Sequence, residues 1–275
     1  MRALAHQNFA MQFHSTDGVR YLTFDIFPKK VVHAVFTRQG GFSPAPWNSL
    51  NVGGTVGDER QRVRENRYRS FATLGRGRES MFDVWQVHSA DVVVANAPHP
   101  RLNDPPEFKA DAMITDNPEV TLFMRFADCV PIFLYDPYHK VIGLVHAGWQ
   151  GTVKRTAAFA VQAMHAQYGS RPADILAGIG PSIAAHHYPV GAQVLQQAQS
   201  AFGADAAEFL RPGNGPGAAS AVQFDLWKAN HFVLSSAGVS QIEIAGLCTA
   251  CCLEDWYSHR AENGRTGRFG ALIAL

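Results

Sequence analysis

The chain has 275 residues, 47% of them hydrophobic and 17% charged, enough apolar material for a packed core and too little charge for a disordered chain. Its 24 Lys and Arg against 23 Asp and Glu leave a formal net charge of +1, so no global electrostatic pull toward nucleic acid or anionic membrane is expected.

Residues 1–20 read as a lead-in to one catalytic domain spanning 21–275. RYLTFDIF and KVVHAVFT read as strands joined by a Pro-containing turn. The Gly-, Pro- and Asn-rich stretch RQGGFSPAPWNSLNVGG reads as a long loop, a length usually associated with function or disorder. Asp58 is the expected cap of a helix from Glu59 to Leu74. Strands follow at DVWQVH, DVVVAN, ADAMIT, VTLFMRF, PIFLYD and HKVIGLVH. Thr152 is the expected cap of one helix over TVKRTAAFAVQAMHAQY. ADILAGIG reads as a strand and GAQVLQQAQSAF as a helix, with residues 203–220 an exposed excursion. Asp225 is expected to cap a helix ending at Ser236, ahead of strands QIEIAG and ALIAL. Strands and helices alternate only in places, which predicts an α/β fold with mixed sheets. No apolar run spans a bilayer, and the opening residues lack the apolar core of a secretory signal, so a cytoplasmic protein is expected.

Three residues stand where apolar runs break: His88 in WQVHSAD, Cys129 in RFADCVP and His146 in GLVHAGWQGT. Strand ends are where reactive groups reach solvent. Two imidazoles and a thiolate suit a borderline ion such as zinc and leave a fourth position open, as a catalytic centre requires. Taken singly, each is more often a core histidine or a buried thiol. Asp128 and Asp111 sit in Ala-Asp pairs nearby and are candidates to orient a ligand or move protons, with turn or capping roles as the alternative. Gly148 and Gly151 belong to a Gly-containing strand-to-helix turn whose N–H groups can hold an anion. Arg38, Asn51 and Arg260 join them as candidate substrate or phosphate groups, and His259 joins the catalytic candidates. GIGPSI is a further tight turn able to bring backbone near a ligand. His186 and His187 lack a nameable third partner and read as surface residues. Cys248 and Cys251 have C-x-x-C spacing without a second pair, so they read, with Cys252, as buried thiols.

The strings FTRQGGFS, SLNVGGTVGD, WQVHSAD, ADAMITD, ADCVPIFLYDP, VHAGWQGTV, GIGPSI, FDLWKAN, CTACCLEDWYSHR and GRFGALIAL occur in the order found in the YfiH-type family. The chain resembles these laccase-domain, or polyphenol oxidase-like, proteins from about Val31 onward; they are also assigned as purine nucleoside phosphorylases. The resemblance implies a four-layer α/β/β/α sandwich with mixed sheets, like that of cytotoxic necrotizing factor. It implies zinc on His88, Cys129 and His146, with copper as the alternative metal. It also implies phosphorolysis of adenosine, inosine and methylthioadenosine together with deamination of adenosine. The partners it implies are purine nucleosides and phosphate, with no nucleic acid or membrane, for a monomer or homodimer. The chain departs from the family at Gln150, where Arg is usual, and at His186, His187 and Pro189, where a Cys pair and a Glu are common.

Three other readings stand beside this one. A copper-dependent polyphenol oxidase would use the same ligands, although no His-x-His cluster is present. A cysteine hydrolase would use Cys129 as nucleophile with His146 or His88 as base. A binding module would keep the pocket without turnover.

Overall fold

Alternating side chains along two sets of strands build the protein in layers. The computed structural model describes residues 11–100, 107–213 and 222–275. One sheet runs in the order β1 (Gln12–Thr16), β2 (Val19–Thr23), β3 (Val32–Phe36), β15 (Phe269–Ala274), β7 (Thr121–Phe126) and β4 (Met81–Phe82). It is antiparallel except for the β4–β7 pair. The other runs β14 (Gln241–Ile244), β10 (Leu176–Ile179), β8 (Val130–Asp136), β9 (Val141–Ala147), β6 (Ala112–Thr115) and β5 (Val92–Val94), with parallel pairs at both edges. A small sheet joins β11 (Pro189–Val190), β13 (Val222–Phe224) and β12 (Leu210–Pro212).

Successive strand residues face opposite ways, and the sequence fills both faces with apolar groups. Leu122, Met124 and Phe126 of β7 pack with Phe133 and Tyr135 of β8 and with Ile142 and Leu144 of β9, forming the core between the sheets. The intervening residues face the helices. Phe123 meets Phe71 of α1 (Arg60–Thr73), their ring centroids 5.4 Å apart. Ile132 and Leu134 cluster with Ala157, Val161 and Met164 of α3 (Thr156–Tyr168), with Ala198 and Phe202 of α4 (Ala192–Phe202), the helix expected at GAQVLQQAQSAF, and with Val233 and Leu234 of α5 (Leu226–Ser236). The result is the expected α/β/β/α sandwich with mixed sheets.

Several local expectations are corrected. Gln12–Thr16, inside the expected lead-in, forms β1 and pairs with β2; residues 1–10 lie outside the described residues. DVWQVH is largely irregular, with one bridge from Trp85 to Lys109; beyond it the Val87 N–H goes to the Asp111 carboxylate instead of a strand neighbour. Asp58 does not cap α1. Its carboxylate accepts from Ser43 Oγ at 2.6 Å and Asn51 Nδ2 at 2.8 Å, and so ties the long loop to the fold. The helix expected from Thr152 is two helices. α2 (Trp149–Val153) ends before Arg155, which takes a left-handed conformation at φ 59°, and α3 begins at Thr156. Thr152 lies within α2, donating to the Gly148 carbonyl and accepting from Asn230. The excursion at 203–220 contains a 3₁₀ turn and β12; residues 214–221 lie outside the described residues. Asp225 does cap α5, accepting from the Lys228 N–H at 3.1 Å.

Candidate active site

The register of one hairpin brings two of the three predicted ligands together. β8 and β9 are antiparallel neighbours in which Pro131 faces His146 and Val130 faces Ala147, so Cys129, just before β8, lies beside the end of β9. Gly148 follows immediately, and a Cβ there would come within 2.7 Å of Cys129 Sγ. Only glycine allows this approach. His88 reaches the pair from the irregular segment after Trp85. Asp111, one residue before β6, supplies the anchor for both histidines. Its Oδ1 accepts from His146 Nδ1 at 2.8 Å, while Oδ2 accepts from the N–H groups of Val87 at 3.0 Å and Ser89 at 2.6 Å. The chain is thereby pinned on either side of His88, which holds a left-handed φ of 57°. The Lys154 ammonium donates to the His88 carbonyl.

The donor atoms of His88, Cys129 and His146 all lie within 4.8 Å of one another, and the two imidazoles meet edge to face at 5.1 Å. His146 is buried, Cys129 half-buried and His88 exposed. With Nδ1 of His146 committed to Asp111, Nε2 remains for a metal, the arrangement that ligating histidines commonly show. Two nitrogens and one sulfur, with no fourth donor joining them among the described residues, fit a zinc or copper ion with an open position.

The same proximity inverts the usual acid–base order. Burial pushes the Cys129 thiol up, but the charge and hydrogen bonds of His146 and His88 outweigh it and bring it down to about 6. Burial lowers His146, yet the Cys129 thiolate and the Asp111 carboxylate raise it to about 9. The thiolate is the form that alkylates, and its fraction grows as pH rises through the pKa. In chelator-treated protein, carbamidomethylation of Cys129 by iodoacetamide should therefore climb through about pH 6 instead of near 9. Cys251 and Cys252, both pushed up first by burial, should lag, and added zinc should protect Cys129. Peptide mass spectrometry resolved by residue reads the result.

A cavity of about 520 Å³ opens onto His88, Cys129 and His146. Arg67, Arg125, Arg260 and Arg268 line it, with Asp128 as the sole carboxylate among the lining residues. Trp85, Trp149 and Tyr188 add flat aromatic surface, and His259 faces the same space. Such a wall favours a substrate with an anionic part and a planar apolar part.

Not every predicted residue belongs there. Asp128 lines the cavity, but its carboxylate is engaged by Thr249 Oγ1 at 2.6 Å and the Arg260 N–H at 2.7 Å, so it braces the wall. Arg38 lies outside the cavity, in a separate depression. Its guanidinium is held by the Asn48 carbonyl and Glu262 and stacks 4.4 Å from the Tyr257 ring centre, leaving no fork for phosphate. Asn51 is fully buried; its Oδ1 accepts from the N–H groups of Gly53 and Arg268, so it acts on the wall from behind. Gly148 and Gly151 pack closely against Cys129 and the His146 carbonyl, where a Cβ would come within 2.7 and 3.2 Å of them. Gln150 does not line the cavity, unlike its neighbour Trp149. The GIGPSI turn also stays outside it, pairing with residues 247–249.

Sequence reasoning missed Arg67, Arg125 and Arg268. Arg125 carried a signal, a lone charge within the otherwise buried strand TLFMRF, where it bonds Asp83 at 2.8 Å and Gln86 at 3.2 Å. Arg67 shares the buried face of α1 with Val63, Asn66 and Phe71, an irregularity visible only once the helix is oriented.

Comparison with known proteins places the chain in a family. The family model described as multi-copper polyphenol oxidoreductase laccase matches residues 32–275. A Deinococcus radiodurans protein named purine nucleoside phosphorylase is 38% identical over 245 residues, covering 89% of each chain. Bacillus subtilis YlmD, also named purine nucleoside phosphorylase, is 33% identical, covering 90% of this chain and 89% of its own. The crystal structure of a Bacillus licheniformis protein titled hypothetical protein YfiH superposes with a TM-score of 0.86 at 31% identity, covering 96% of this chain and 98% of that one. The matching family model, the sequence identity and the near-complete coverage lead to one conclusion: the chain belongs to the laccase-like YfiH/YlmD family.

Proposed function

We propose that the chain is a zinc-dependent purine nucleoside phosphorylase that also deaminates adenosine, with zinc held by His88, Cys129 and His146. The observation that carries this reading is the meeting, in one cavity, of the three-ligand centre and four arginines. The names of the Deinococcus and Bacillus relatives support the phosphorolytic half.

In phosphorolysis a phosphate oxygen bonds to C1′ of the ribose as the C1′–N9 bond breaks. The electron pair leaves with the purine, which takes up a proton, and ribose 1-phosphate forms. The arginine wall offsets the charge of phosphate and orients it. Trp85, Trp149 and Tyr188 offer flat faces to the purine, and His259 is the proton donor for the departing base. In deamination water adds at C6 and ammonia leaves, with His259 moving the proton. Zinc, when bound, supplies Lewis acidity at the cavity wall. Asp111 fixes the tautomer and direction of His146 throughout. The reaction is placed in the cytoplasm, on a monomer or homodimer, with free nucleosides and phosphate as partners.

A second reading is favoured by the Cys129–His146–Asp111 line, which has the order of a nucleophile, a base and an orienting carboxylate. One assay separates the readings. Zinc-loaded protein given adenosine should release adenine and ribose 1-phosphate only with phosphate present, and inosine without it; Cys129→Ala should release neither product. Failure of both products to exceed that variant overturns the proposal. Oxygen uptake with a phenol on copper-loaded protein would favour the oxidase. Turnover that resists chelators but yields to iodoacetamide would favour the hydrolase.

A further inference from the structure

The two motifs that had no partner in the sequence are partners of each other in the fold. His186 and His187 close a 3₁₀ turn over Ala185–His187. Cys248 and Cys251 flank a turn in which the Cys251 N–H donates to the Cys248 carbonyl at 3.3 Å. A bridge between Ser182 and Cys248, with the Thr249 N–H donating to Ser182 at 3.1 Å, sets the two segments side by side. Cys248 is buried, whereas Cys251 is exposed and Cys252 half-buried, which corrects the expectation of three buried thiols.

One donor atom from each of His186, His187, Cys248 and Cys251 lies within 4.8 Å of all the others. His186 Nε2 stands 3.1 Å from Cys251 Sγ, and His187 Nδ1 stands 3.5 Å from both Cys248 Sγ and Cys251 Sγ. Adjacent histidines thus reach one point by using opposite ring nitrogens. A tetrahedral ion with Zn–S near 2.3 Å and Zn–N near 2.0 Å separates sulfur from nitrogen by about 3.5 Å. The Ala184 N–H donates to Cys248 Sγ at 3.4 Å, the outer hydrogen bond that a ligating thiolate commonly receives.

We propose that these four residues form a second, closed zinc site distinct from the centre at His88, Cys129 and His146. Four protein donors leave no position for substrate, so the site is structural. It clamps two segments that serve the cavity: one leads into Tyr188 on its wall, and the other carries Thr249, which holds Asp128. The proposal does not depend on which reaction the cavity performs.

Zinc content of the full chain, purified under reducing conditions, loaded with zinc and desalted, tests it. One equivalent should survive Cys129→Ala and be lost when Cys251→Ser is added. Cobalt(II) in Cys129→Ala should show thiolate charge transfer and the visible bands of tetrahedral coordination. The exposed pair His186→Ala/His187→Ala should lose the same equivalent with an unchanged circular dichroism spectrum, which guards against misfolding. The inference is overturned if Cys129→Ala holds no metal, or if neither Cys251→Ser nor the histidine pair lowers the content. A Cys248–Cys251 disulfide persisting under those reducing conditions also overturns it.

Discussion

Exchange of Asp111 for Asn should weaken zinc binding by roughly 10- to 100-fold, the usual effect of losing a carboxylate behind a ligating histidine. Turnover should fall in parallel. The structure places this residue at the worst point for such a change. Its two oxygens accept from three donors, one on His146 and two on the backbone flanking His88. An asparagine amide offers one acceptor oxygen and, in the other place, two N–H groups that oppose the donors already there. If the oxygen stays with His146, the N–H groups of Val87 and Ser89 lose their acceptor and the His88 segment is released. If the amide turns round, His146 loses its orientation. Each donor left without an acceptor at this buried position costs about 1–3 kcal/mol. Isothermal titration with zinc and a thermal melt of metal-free protein read the two effects separately. Unchanged zinc affinity with an intact fold would show that Asp111 does not position the centre.

That dual role marks where the sequence stops being readable. His88, Cys129 and His146 were visible because each interrupts an apolar run, and the strand that follows Cys129 and the strand that carries His146 formed as their patterns predict. The layers followed because β8 and β9 are largely apolar on both faces, while β7 carries Leu122, Met124 and Phe126 on one face and Phe123 on the other. The failures share one cause, which is that the deciding partner lies far along the chain. Arg38 looked like an anion grip until Glu262 and Tyr257, more than two hundred residues away, occupied it. Asp58 looked like a helix cap until the long loop folded back and presented Ser43 and Asn51. His186 with His187, and Cys248 with Cys251, are unremarkable as pairs and acquire meaning only as neighbours. Local spacing reports which groups can be exposed, whereas non-local packing decides which of them meet.

Replacement of Arg260 by Met should raise the phosphate KM of the phosphorolytic reaction by roughly 10- to 100-fold, the equivalent of one charge-assisted hydrogen bond of about 1.5–3 kcal/mol. The site makes this a clean substitution. The residue steadies Asp128 through its backbone N–H, which the variant keeps. Its side chain lies 5.0 Å over the Tyr188 ring and reaches the Pro189 carbonyl at 3.1 Å; a methionine stem retains the apolar cover and loses only the fork and its charge. Arg260→Lys should recover part of the affinity, because it restores charge without bidentate geometry. Deamination consumes no phosphate, so adenosine conversion to inosine should keep its rate in both variants. Parallel loss of both reactions would instead assign Arg260 to the nucleoside, and an unchanged phosphate KM would shift the anion toward Arg67 and Arg268 on the remaining wall of the cavity.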